Sequence, residues 1–265
     1  MRHLAGFFIA IFFLPIIISA EPLHPDSVKY YFNPVVVTAN KFQGAQRNIA
    51  ASVSVIDQQE IKRASTSSVL ELVKNRVPGV YITERGVMGY GIASGAAGGI
   101  SVRGIGGSPV TGVLVLRDGR PDIMGMMGHP LPDAYSLQGV ERVEVVRGPA
   151  SFLYGTNAMG GVINIVSKEQ QEDGFTTSGR TEYGSYNTRR VALQHGGKVG
   201  AFDYHVSGST QSTDGHRDYS DYDGNFYTTS LGYQLSERTE IELNANYSDV
   251  RLYDPGMADN PFVDH

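Results

Sequence analysis

The sequence predicts an α+β domain followed by the first antiparallel strands of a transmembrane β-barrel, with the barrel incomplete in this chain. Three observations carry that reading. Residues 141 to 168 read as two strands joined by a glycine-rich connector, short capped helices precede them, and from Gln170 onward apolar and polar residues alternate strand after strand.

Composition narrows the function. The 265 residues suffice for one or two domains with a full-sized core. A net charge of −5 argues against nucleic-acid binding, and the absence of cysteine excludes a disulfide framework and a thiolate metal site. There are 32 glycines, against a usual share of ~7%, and 15 tyrosines with no tryptophan, which favours turns, strands and wet aromatic surfaces over helices.

The chain opens with Arg2 and His3, an apolar run from Leu4 to Ile18 broken by Pro15, and the small pair Ser19-Ala20. This is the pattern of a secretory signal peptide over residues 1–20, because the run falls short of the ~20 residues a spanning helix needs. Residues 21 to 33 read as a flexible leader. Pro34-Val-Val-Val-Thr-Ala-Asn40 is a β-branched run with no obvious hairpin partner. Such a strand suits pairing with the sheet edge of another protein, the rival reading being a first strand of the domain's own sheet.

The αβ pattern begins at Ser52-Val-Ser-Val-Ile56, a strand. Asp57 with Glu60, and Ser68 with Glu71, have capping-box spacing. Val69, Leu70, Leu72 and Val73 form the apolar face of a short helix closed by Pro78-Gly79, and Val80 to Thr83 is a further strand. Nine glycines fall within residues 86 to 108, but no helix start follows Gly104-Ile-Gly106 and no Gly-Lys-Ser/Thr occurs, so nucleotide binding is set aside. In the 141 to 168 stretch, Val143 and Val145 alternate with Arg142, Glu144 and, after Val146, Arg147. Gly148-Pro149 ends that strand, and Gly161 to Val166 is apolar enough to be buried on both faces.

Residues 141 to 168, from Glu141-Arg-Val-Glu-Val-Val-Arg-Gly-Pro to Gly-Gly-Val-Ile-Asn-Ile-Val-Ser-Lys168, resemble the end of the plug domain of TonB-dependent outer-membrane receptors. Ile100-Ser-Val-Arg-Gly104 and Val113-Leu-Val-Leu-Arg-Asp-Gly-Arg-Pro121 resemble two further plug signatures in family order, so the resemblance covers residues 35 to 168. It implies a TonB box at 35–40, with Val35, Val36, Val37, Thr38 and Ala39 meeting TonB and its inner-membrane complex. It implies a leader over 21–40, a plug domain over 41–168 and about five barrel strands over 169–265. It also implies a place in the outer membrane of a Gram-negative bacterium and energised uptake of a metal chelate: a ferric siderophore, haem, cobalamin or a copper species. In the family, plug arginines pair with barrel-wall carboxylates, which nominates Arg103 and Arg147. The expected partners are TonB, outer-membrane lipid and the chelate, for a monomer with no required cofactor.

After Gln170 five strands are expected, near 176–183, 188–196, 201–213, 225–235 and 239–250. Phe202, Tyr204 and Val206 alternate with Asp203, His205 and Ser207, and Ile241, Leu243, Ala245 and Tyr247 alternate with Glu240, Glu242, Asn244 and Asn246. That pattern suits a soluble sandwich as well as a membrane barrel; tight turns alternating with longer loops favour the barrel. A barrel around a plug needs about 22 strands of ~10 residues, and residues 169 to 265 supply a fraction, so the chain reads as the N-terminal part of a longer receptor.

No nucleophile elbow, metal-binding His pair or carboxylate dyad appears, so binding and transport are expected rather than catalysis. The alternatives are a secreted soluble β-rich binding protein or enzyme, and a passive porin. Met124, Met126, Met127 and His129 form a thioether and imidazole set suited to a soft metal. Tyr81, Met88 and Tyr90 are candidates for an apical surface that meets an iron chelate or haem. The segment 214–224 holds Asp214, Asp218, Asp221 and Asp223, which fail the EF-hand register but leave a looser calcium site open, as occurs in cobalamin receptors.

Overall fold

The computed structural model describes residues 35–36, 44–45, 51–84, 86–90, 98–107, 110–123 and 130–253. The expected signal peptide, most of the leader, and Val37, Thr38 and Ala39 lie outside them.

The leader strand has a partner within its own chain. β1 (Val35–Val36) pairs antiparallel with β2 (Gly44–Ala45), Val35 opposite Ala45 and Val36 opposite Gly44. This differs from the unpaired strand expected, and the pair is separate from the larger sheets.

The αβ unit begins with β3 (Ser52–Ile56), α1 (Gln58–Arg63) and α2 (Val69–Arg76). Asp57 and Glu60 form a complete capping box. Ser68 caps α2 from one side only, because Glu71 is turned to the Thr66 hydroxyl instead of the cap backbone. β4 (Val80–Ile82), β5 (Ile100–Val102) and β6 (Ile105–Gly107) make a small three-stranded sheet. β7 (Val113–Arg117) and β8 (Arg120–Pro121) are a hairpin turning at Asp118-Gly119. A 3₁₀ turn (Pro132–Ala134), β9 (Val140–Arg147), α3 (Ser151–Tyr154) and β10 (Gly161–Ser167) complete the unit.

The main sheet has the order β3-β9-β10-β7-β8. β10 is central: it runs parallel to β7, with Gly161 opposite Val113, and antiparallel to β9, with Gly161 opposite Arg147. Its position explains its composition. Ile163 and Ile165 join the core under α1 and α2, together with Ile56, Leu70, Val73, Val115 and Val145, while Val162 packs on the other face with Leu116, Val146 and Ala158. A central strand covered on both faces must be apolar on both.

Five strands follow as a continuous antiparallel meander: β11 (Gly174–Gly184), β12 (Thr188–Val199), β13 (Phe202–Thr213), β14 (Tyr222–Ser236) and β15 (Thr239–Leu252). Each lies within a few residues of its expected bounds. β12 is 12 residues long, a rise of about 40 Å, or about 28 Å along the normal at a 45° tilt, which matches a hydrocarbon core of ~30 Å. Among the described residues no helix is long and apolar enough to cross a membrane, which says nothing of strands.

The meander is inside out relative to a soluble sheet. Asp203, His205, Ser207 and Gln211 on β13, with Thr228 and Ser230 on β14, are buried. Leu193 is 61% exposed, Leu243 62% and Ile241 56%. In water an arrangement that hides the polar face and bares the apolar one is unfavourable on both counts; with hydrocarbon outside it is favourable on both.

Candidate functional site

The candidate site is the seam where the polar face of the meander meets the αβ unit. At its centre Thr228 Oγ1 donates to the Gln138 carbonyl at 3.4 Å, and Ser207 Oγ donates to Thr228 Oγ1 at 3.0 Å. Gly139 follows in the left-handed region, φ 70°, where a Cβ would lie 3.1 Å from Ser207 Oγ and 3.2 Å from Thr228 Oγ1. Only a residue without a side chain lets the backbone come this close.

On one flank the meander grips the loop after α1. Arg180 donates to the Lys62 carbonyl (3.3 Å) and the Ala64 carbonyl (2.8 Å), and Arg190 to the Ser65 carbonyl (2.8 Å). Glu182 lies between them, 2.5 Å from Arg180 Nε and 3.0 Å from Arg190 Nη1. Ser67 adds a side-chain hydrogen bond to Gln211. On the other flank Arg117 donates to Asn246 at 3.1 Å and to Asp122 at 3.2 Å, and its guanidinium stands 5.6 Å from the centre of the Tyr135 ring. Burial, and then the nearby Asp122 carboxylate, push the Tyr135 phenol well above its ordinary range. Here the two parts leave a polar groove of about 460 Å³ lined by Arg117, Asp122, Asn244, Asn246 and Tyr247 among others.

At the junction, Asp118 accepts from the Ser167 amide (2.7 Å) and hydroxyl (2.8 Å) and from Asn244 (3.4 Å). Glu169 follows directly. Partial burial, and then the carboxylates of Glu242, Glu240, Asp203 and Asp118, push its pKa up to about 7.

Residues 45–162 match the family model of the TonB-dependent receptor plug domain. The chain carries a TonB-dependent receptor plug. Solved structures agree in fold. The ferripyoverdine receptor of the outer membrane of Pseudomonas aeruginosa is 18% identical with a TM-score of 0.67, over 82% of this chain and 27% of that one. The siderophore receptor PiuA from Acinetobacter baumannii is 22% identical with a TM-score of 0.63, over 78% and 27%. The alcaligin receptor FauA from Bordetella pertussis is 16% identical with a TM-score of 0.65, over 82% and 35%. The chain thus spans about 27 to 35% of the length of these receptors.

The expected site residues fall into three groups. Arg103, at φ 53°, donates to Ser52 Oγ (3.1 Å), and Arg147 donates to the Pro78 carbonyl (3.3 Å). Both bonds stay within the plug, and among the described residues neither arginine meets a carboxylate of the wall strands. Tyr81 is 64% exposed on β4. Tyr90 is not at an open surface: its amide donates to Asp133 (2.6 Å) and its hydroxyl lies 3.1 Å from Ser68 Oγ. Met88 and Tyr90 line a cavity of about 30 Å³ at the seam, room for a water but far below the ~300 Å³ of a small-molecule site.

Met124, Met126, Met127 and His129 lie outside the described residues. Among the described residues no three His, Asp or Glu side chains converge to hold a metal ion, and the four aspartates of 214–223 do not form such a group. Asp223 is drawn into β14, where it meets Asn225 at 3.4 Å, while Asp214 meets Asn187 at 3.4 Å.

Arg180, Arg190 and Gly139 are not among the expected residues. The two arginines were within reach of the sequence, since strand parity sets Arg180 on the face of Glu182 and Arg190 on the face of Thr188. Gly139 carries no such signal, because its need arises only when β14 lies against it.

Proposed function

We propose that this chain supplies the plug and first wall strands of an outer-membrane receptor for energised uptake of a metal chelate, with ferric siderophores the foremost class. The observation that carries the reading is the inverted meander, apolar face outward and polar face closed over a TonB-dependent receptor plug. The siderophore receptors named above support the ligand class, and haem, cobalamin and copper species are the alternatives within it.

In this reading residues 1–20 are removed on export, 21–40 form the leader, 41–168 the plug and 169–265 the start of the wall, in a monomeric receptor. Ligand binds from outside. TonB then adds its sheet edge to Val35, Val36, Val37, Thr38 and Ala39 through backbone hydrogen bonds, and a pull driven by the inner-membrane complex remodels the plug. Arg103 and Arg147, at strand ends before glycine, stay candidates for contacts with wall strands beyond β15. The test is deletion of residues 35–39 in the intact receptor, with uptake of a radiolabelled ferric siderophore and its binding to whole cells both measured. Uptake is expected to vanish while binding persists; uptake that survives overturns the proposal.

A further inference from the structure

We propose that Arg180 and Arg190 of the wall form a latch that keeps residues 62–65 of the plug seated, and that it marks where a pull from the N-terminal side stops. The first support is geometric. The last carbonyls of a helix have no partner within it, and α1 ends in an extended Ala64. The wall supplies the missing donors: Arg180 spans the Lys62 and Ala64 carbonyls and Arg190 takes that of Ser65. Glu182 bridges both guanidinium groups, so the forks are held in place before the loop arrives. Positive charge at a helix C-terminus is favourable as well.

The second support is position along the chain. Among the described residues, β2, β3 and α1 lie between the leader and the latch. β3 is an edge strand paired with β9 alone and buries Val53 and Ile56, and α1 buries only Ile61, so this part is held by fewer buried side chains than α2 and the sheet beyond it. Immediately past the latch the hold tightens: Leu137 N donates to the Ser67 carbonyl at 2.8 Å, and α2 buries Val69, Leu70, Leu72 and Val73. The latch therefore stands where a weakly held part of the plug meets a strongly held one. A pull arriving through residues 46–51 strips β3 and α1 and is then borne by the wall. The direction of that pull rests on the transport reading; the seat itself does not.

The chain has no cysteine, and Ala64 is 4% exposed. Ala64→Cys in the intact receptor, with any cysteine beyond residue 265 replaced by serine, therefore reports on the seat through its reaction with a membrane-impermeant maleimide in outer-membrane preparations. Arg180→Ala with Arg190→Ala is expected to raise the labelling rate by at least about tenfold, the equivalent of one lost charge-assisted hydrogen bond. The pair of Lys substitutions should fall between, because an ammonium cannot span two carbonyls. Heat-modifiable gel mobility reports that the barrel has assembled. Unchanged labelling in an assembled double-Ala variant overturns the latch. If that variant does not assemble, Arg180→Lys alone is read, where faster labelling supports the latch and an unchanged rate overturns it. Failure of the 35–39 deletion to stop uptake would sink the transport reading while leaving this comparison intact.

Discussion

Replacing Leu193 by arginine tests the orientation of the wall. Leu193 stands mid-way along β12, opposite Gly179 on β11 and Gly208 on β13, and is 61% exposed. Were its face in water, Leu193→Arg would change stability by within about 0.5 kcal/mol, as at ordinary surface sites. In a bilayer an arginine at the midplane of a barrel costs about 2–4 kcal/mol, a factor of roughly 30 to 1000 in the folded-to-unfolded ratio. The assay is urea unfolding of the receptor folded into phosphatidylcholine vesicles, comparing the variant with wild type. A second arm uses Leu193→Trp: the fluorescence it adds over the wild-type receptor should be quenched by brominated acyl chains. That arm separates lipid from a second covering sheet, which would also make arginine costly but would shield the indole. A loss under about 0.5 kcal/mol, or an unquenched indole, refutes the membrane orientation.

Two further outcomes are expected at the seam. Gly139→Ala places a Cβ about 3.1 Å from Ser207 Oγ at positive φ, so it should cost about 1–2 kcal/mol from the backbone conformation alone, read as a lower urea midpoint; no change would mean the backbone does not approach the wall there. Glu169 has its pKa raised from 4.5 to about 7 in the folded chain. Its contribution to stability is therefore full below pH ~4.5 and is lost as pH rises through ~7. Thermal midpoints should fall between pH 5 and pH 8, and Glu169→Gln should flatten that fall; an equal slope in both proteins would remove Glu169 from the cause.

Much of the architecture was legible in the chain because it is encoded locally. The capping box at Asp57 and Glu60, the helix stop at Pro78-Gly79, the hairpin at Asp118-Gly119 and the two-sided apolar β10 each follow from neighbouring residues. The glycine-rich 141–168 stretch was readable for the same reason. Tyr90 was misplaced because an aromatic near glycines looks like a surface residue until the Asp133 carboxylate and the Tyr222 strand close over it. Spacing in a loop likewise does not say which carboxylates turn toward one another, as at Asp214 and Asp223.

Alternation with period two told that each strand after Gln170 has one polar and one apolar face. It could not tell which face is covered, because the same pattern serves a sandwich in water and a wall in lipid. That choice belongs to the packed molecule. The plug offers hydrogen-bonding groups at Gln138, Asp118 and the α1 end, and these satisfy Thr228, Asn244, Arg180 and Arg190 across the seam. Only an apolar surrounding then accepts the exposed Leu193, Ile241 and Leu243. Partners lying more than a hundred residues apart, such as Arg180 and Ala64, leave no local trace in the sequence, and those contacts seat the plug.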